Sequence, residues 1–452
     1  MSPDEQRPST HSDDQRSTLS RRQLLGLLGG GGALAGIGWF APEWLPDPVT
    51  DTLTTMYPDP SSNYVWRPPV SDEHADEAVQ RLEETVERAT VLASQVDFDT
   101  IDEDMRFHLR GSPAGGHLES ARDKLNARDR LQHATTGLQY AGETIGYAKV
   151  ALGEDDPEFL VERSRELERT TDETVDSISE YRVSDPGRDL AYLYSVERLL
   201  SFARINIGWD RSADDESNVV DDYSPRDFAA EWGSHLQAKQ RIRTARYYRE
   251  QYRSGLGDDP RSHRERLDDA LLGILAEIDR YPTRDEMRTK LEDELDLDQS
   301  TPYGAARWEL FTLCFDNDFR YIGDFERDLT MKHLVDSAQS LLARQAHEFA
   351  LSELDVEPED SDYDSGRSFR AKRRAMHEFR ETHRELDSHF AGVVASEAAS
   401  RIRGGDVGLE IGDGVPRWQL RVESAVYYFV GEGMMRNLGD VVDPLLSAEN
   451  SR

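Results

Sequence analysis

The sequence predicts an all-α protein: an irregular helical bundle or a degenerate helical-hairpin array, placed after an apolar amino-terminal segment and a proline-rich stretch. Apolar residues recur three and four apart over long windows, which is the period of one helix face. A capping side chain followed directly by proline recurs along the chain, and this pair marks a helix start. Strand-like signals are confined to Gly404–Val415, where glycine pairs flank Leu409-Glu410-Ile411 and predict a small hairpin or a long loop.

Residues 1–19 are polar and lack a packing face. Ser20-Arg21-Arg22-Gln23-Leu24-Leu25 then opens an uncharged, glycine-rich apolar run to Phe40. This arrangement resembles the twin-arginine export signal, in which paired arginines precede a weakly hydrophobic segment. The resemblance implies an export translocase as a partner, with Arg21 and Arg22 as the residues it reads, and delivery of folded protein to the external face of the cytoplasmic membrane. Leu24–Ala41 also has about the minimum length for a membrane-crossing helix, so the segment predicts a retained anchor. Ala33-Leu34-Ala35 offers the alternative, a small-residue cleavage site that would release the protein.

Residues 42–70 hold seven prolines and predict an extended, semi-rigid spacer between membrane and domain. The pattern from 71 to 445 is helical, with 355–366 as the place where it would subdivide, and 446–452 form a tail. Helix starts are predicted at Asp156-Pro157, Asp185-Pro186, Ser224-Pro225, Asp259-Pro260 and Thr301-Pro302. Thr283 with Glu286 forms a capping-box pattern. Leu131, Ala134, Leu138, Ala141, Ile145 and Ala148 make one apolar stripe, and Leu190, Leu193, Val196, Leu200, Ala203 and Ile207 a second. Phe369, Met376, Phe379, Leu386, Phe390 and Val393 make a third. The acidic runs 210–222 and 355–364 read as solvated loops.

Composition speaks to solvent. The chain carries 89 Asp and Glu against 54 Lys and Arg, a net charge of −35, and only six of its basic residues are lysine. This balance resembles that of proteins from extremely halophilic archaea, where molar salt screens self-repulsion and dense carboxylates keep the surface hydrated. The same charge opposes nucleic-acid binding. The single cysteine, Cys314, lies in an apolar run, excludes an intramolecular disulfide and reads as a buried hydrophobe.

Two clusters could carry chemistry. The segment His235–Arg253 is basic and aromatic, and a helix would place Lys239, Arg243, Arg246 and Arg253 on one side. Such a side could clamp an anionic ligand or an acidic partner, and internal pairing with acidic neighbours is the competing account. His377, Glu381 and His383 are the candidate metal ligands, although their spacing of four and two does not stack the imidazoles on one face. No cofactor is predicted. The sequence thus predicts an extracytoplasmic, membrane-tethered helical binding or scaffold protein of a halophile, with a protein or small anion as partner; the alternative is an exported metal-dependent hydrolase.

Overall fold

The computed structural model describes residues 45–60, 65–124, 126–207, 223–294, 297–316, 328–411 and 414–447. Arg21, Arg22, the apolar segment to Ala41 and the acidic run 210–222 lie outside these residues. Among the described residues no helix is long and apolar enough to cross a membrane.

The fold is all-α. Helix α1 spans Asp47–Met56, α2 Asp72–Ser94, α3 Glu103–Arg110, α4 Ala114–Asp123, α5 Ala127–Leu152 and α6 Pro157–Asp176. After β1 (Arg182–Val183) come α7 (Pro186–Ile207), α8 (Pro225–Ser254) and β2 (Arg261–Ser262). The remainder is α9 (Arg264–Ile278), α10 (Arg284–Thr289, extended by a π turn to Glu294), α11 (Pro302–Phe315), α12 (Thr330–Glu353), α13 (Ser365–Leu386), α14 (His389–Val394), α15 (Ser396–Ile411) and α16 (Arg417–Leu446).

The capping chemistry explains most of these starts. Asp156 accepts from the Phe159 N–H and Thr301 from the Gly304 N–H, while Ser224 with Asp227 and Thr283 with Glu286 form reciprocal capping boxes. Asp259-Pro260 behaves differently and starts no helix. Residues 261–262 pair antiparallel with 182–183 instead, with Arg182 opposite Ser262, and α9 begins only at Arg264. The expected hairpin at 404–415 is also corrected: α15 is helical to Ile411. Gly404 and Gly405 suit that helix because the rings of Tyr427 and Tyr428 stand 2.6 Å from where their Cβ atoms would be.

Two long helices organise the packing. Helix α8 is flanked by α5, α6 and α7, and α16 by α11, α12, α13 and α15. Close approach of α5 and α8 depends on glycine: a Cβ on Gly146 would lie 2.5 Å from Ala229 Cα, and one on Gly233 2.5 Å from the Gln139 carbonyl oxygen. Small apolar clusters fill the spaces between α2, α4 and α5 and around Trp232, but the main core is continuous from Leu190 and Tyr248 to Leu310, Leu334 and Val430.

A polar joint pins the two groups of helices together. The buried Glu197 of α7 accepts from Tyr181 Oη at 2.5 Å and from the Lys332 N–H at 2.8 Å, and so caps the start of α12. Burial pushes the Glu197 carboxyl up to about 8, against the pull of these donors.

The proline-rich stretch is not an extended spacer throughout. Pro46 and Pro48 fall at the first turn of α1, where no intrahelical N–H bond is required, and α1 docks on α13 and α15. Arg421 of α16 grips Asp51 through Nε and Nη2, both at 3.0 Å, and Asp47 through Nη1 at 2.8 Å. The fully buried Lys372 donates to the Thr54 carbonyl at 2.6 Å and to Asp406 at 2.8 Å.

Candidate functional site

Helix α8 has two long flanks, each facing a groove. On one flank Gln237, Arg241, Thr244 and Tyr248 follow one another at intervals of four, three and four, which places them on a single face. Helices α5 and α7 both pack on α8, and between them this face forms the floor of a cleft of about 450 Å³. The α5 wall presents Arg128, Leu131, Gln132, Thr135 and Thr136, and the α7 wall Ser195, Arg198, Leu199 and Phe202. Arg67 and Pro68, from the segment leading into α2, also line the cleft.

Four guanidiniums therefore converge on one cleft whose lining contains no carboxylate. Among the described residues, Arg67, Arg128, Arg198 and Arg241 form no ion pair. Arg128 donates to the carbonyls of Arg67 and Pro68 and bonds Tyr248, which fixes the entering segment. Arg198 and Arg241 both lie over the Phe202 ring, at 5.4 and 5.2 Å from its centroid, and Arg241 Nη1 also donates to the Phe202 carbonyl at 3.0 Å. Burial, and then the like charges of Arg128, Arg198 and Arg403, lower the pKa of Arg67. Burial takes Arg241 down to about 10, so it remains cationic at neutral pH.

The four residues nominated from sequence lie elsewhere. Arg246 donates to Thr174 Oγ1 at 3.2 Å and stands 3.8 Å from Glu173. Arg253 donates to the Ser177 carbonyl and lies 3.7 Å from Glu250. These two tie α8 to α6 and the turn after it. Arg243 is exposed, with Arg81 and Glu77 as its charged neighbours. Lys239 lines the second groove, of about 1020 Å³, between α8, α2 and α6. There Glu84, Glu162 and Glu166 stand among Arg88, Arg163, Arg165, Arg169 and Lys239, so that groove is mixed in charge with an excess of cations. Sequence reasoning thus named the helix but a different face of it. The signal that could have found the cleft is the amide and hydroxyl series Gln237, Thr244 and Tyr248 around Arg241.

The metal candidates do not come together. His377 and Glu381 are exposed on α13, Glu381 pairs with Arg384 at 3.4 Å, and burial lowers the pKa of the half-buried His383. Among the described residues no group of three or more His, Cys, Asp or Glu side chains is placed to hold a metal. Cys314 is buried, and burial pushes its thiol up to about 12, which keeps it from acting as a thiolate.

Buried Ser164, His235 and Glu231 bring together the residue types of a hydrolytic triad. Ser164 Oγ lies 2.8 Å and Glu231 Oε1 2.6 Å from the same atom, His235 Nε2, and His235 Nδ1 has no partner. A relay needs the nucleophile and the orienting carboxylate on opposite ring nitrogens, so this trio is not arranged for it.

Residues 73–259 match a family described as a domain of unknown function (DUF8262), and residues 264–447 match a second, also described as a domain of unknown function (DUF8264). No curated protein and no solved structure matches the chain. The two matched regions meet at β2, inside a continuous core, whereas the acidic run 355–364 lies within the second. Arg128, Arg198 and Arg241 fall in the first region, and Arg67 just precedes it.

Proposed function

We propose that this chain is an extracytoplasmic binding protein of a halophile, tethered through its amino-terminal segment, that holds a small anionic ligand in the cleft over α8. The observation that carries the reading is the set of four arginines that, among the described residues, have no carboxylate partner, in a chain with 89 acidic residues. Other arginines pair with acids, as Arg204 does with Asp172 and Asp328 and Arg374 with Glu353 and Glu432, and among the described residues some bond only carbonyls, as Arg106 does. Leaving four guanidiniums unpaired and close together costs stability, and a bound anion offsets that repulsion.

Tethering takes a different form from a domain held out on a stalk. Only Pro42–Pro46 separates the apolar segment from α1, a reach of roughly 18 Å at full extension. A retained anchor would therefore keep the α13 and α15 side of the bundle near the membrane surface.

The test is thermal unfolding of the full chain at constant high ionic strength, with chloride exchanged for phosphate, sulfate or citrate. A ligand at a hundred times its Kd adds about 2.7 kcal/mol of stability, a clear rise in Tm. Arg67→Glu with Arg198→Glu should abolish that rise while helicity is kept. Identical anion responses in the variant and the native chain would refute the cleft as the site.

A further inference from the structure

We infer that the ligand of this cleft is a phosphate monoester of a polyhydroxylated molecule, an inference that rests on the anion-binding reading above. The first half of the argument is charge. Arg128 is already engaged by two carbonyls and Tyr248, which leaves Arg67, Arg198 and Arg241 to face a ligand. Arg241 uses Nη1 on the Phe202 carbonyl, and among the described residues its Nε and Nη2 have no partner. One carboxylate satisfies one guanidinium fork and leaves two cations facing each other. A phosphate monoester carries close to two negative charges at neutral pH and three acceptor oxygens on a tetrahedral centre, which matches three forks approaching from different elements.

The second half is the polarity of the walls. Thr135 donates its hydroxyl hydrogen to the Leu131 carbonyl at 2.7 Å and Ser195 to the Ala191 carbonyl at 2.8 Å. A hydroxyl whose hydrogen is engaged in its own helix offers only lone pairs to a ligand. The cleft therefore has cationic donors together with neutral acceptors on both walls. Its occupant must carry hydrogen-bond donors as well as anionic oxygens. Ammonium donors are disfavoured beside four guanidiniums, so the donors are neutral, and hydroxyls are the class this inference assigns.

The experiment is calorimetric titration of the full chain, folded in molar salt at pH 7.5, with glucose 6-phosphate, glucose 6-sulfate, glucose, inorganic phosphate and succinate as probes. Glucose 6-phosphate should bind at least tenfold more tightly than each of the others. Thr135→Val should weaken it three- to tenfold and leave inorganic phosphate unchanged, which separates the wall from the charge. Arg198→Gln, at an exposed side chain, should weaken both phosphates at least tenfold with an unchanged helical spectrum. If succinate or the singly charged sulfate ester binds as tightly as the phosphate ester, the charge half fails. If inorganic phosphate does, the polyol half fails, and anion binding stands in both cases. If no probe binds, the anion-binding reading falls, and this inference with it.

Discussion

The docking of α1 sets the relation between the domain and whatever precedes it, and Arg421→Met tests it. Arg421 is buried to 6 % exposure and Asp51 to 14 %, whereas Asp47 is 41 % exposed. The methionine retains the apolar stem and removes three charge-assisted bonds. The Asp47 arm contributes little because water screens it. Asp51 would be left as an inward-facing charge without its partner, and breaking such a pair costs about 3 kcal/mol. Other ties of this segment include the Lys372 bond to Thr54, the Ser365 bond to Asp47 at 2.8 Å, the edge contact of Tyr57 on Phe369 and the Arg380 guanidinium over the Tyr57 ring. The loss should therefore appear as local release of one helix. Hydrogen exchange over 47–57, followed by mass spectrometry in high salt, should speed up by about a hundredfold, since 1.36 kcal/mol is one decade. Adding Asp51→Asn should recover part of the protection by removing the stranded charge. Unchanged exchange in Arg421→Met, or no protection of 47–57 in the native chain, would refute the docked helix and restore the extended spacer.

Two further predictions concern location and pH. Replacing Arg21 and Arg22 with lysine should strand the protein in the cytoplasm, as cell fractionation would show, and normal surface delivery of that variant would overturn the export assignment. His347, in edge contact with Phe315, is brought down to about 4 by burial and then by Lys290 and Arg307. The unfolded imidazole takes up its proton near pH 6.5 and the folded one only near 4, so stability is full above 6.5 and falls as pH drops through that window. The loss is roughly 3 kcal/mol, and His347→Leu should flatten the stability profile between pH 6.5 and 4 by up to one proton; an unchanged slope would show that His347 is not the group responsible.

The legible parts of the fold were those written locally. The stripe from Leu131 to Ala148 and that from Leu190 to Ile207 need only the helical period, and both are faces of α5 and α7. Ser224-Pro225 and Thr283 with Glu286 need only one turn of backbone, and they cap α8 and α10. What failed locally depended on distant partners. Pro46 and Pro48 suit a first helical turn as well as an extended chain, and the choice rests with Arg421, which is more than 360 residues away. Gly404 and Gly405 read as a turn until the rings of Tyr427 and Tyr428 occupy the space of their missing side chains. Asp259-Pro260 carries a start signal, but pairing of 261–262 with β1 wins over it.

The cleft was illegible for the same reason, and its arginines show why counting charge is a weak guide to sites in such a chain. Along the sequence, Arg241 and Arg246 look alike: both sit in a basic run on one helix. Their difference lies in what other elements bring. Helix α6 supplies Thr170, Thr174 and Glu173 to Arg246, while α5, α7 and the 65–71 segment supply Arg241 with hydroxyls and more guanidiniums. A protein with this excess of acid can satisfy a surface arginine almost anywhere, so a pairing such as Arg122 with Glu83 says little about function. Four arginines converging with no such partner among the described residues carry more information, because the arrangement costs electrostatic energy that neighbouring carboxylates would have removed.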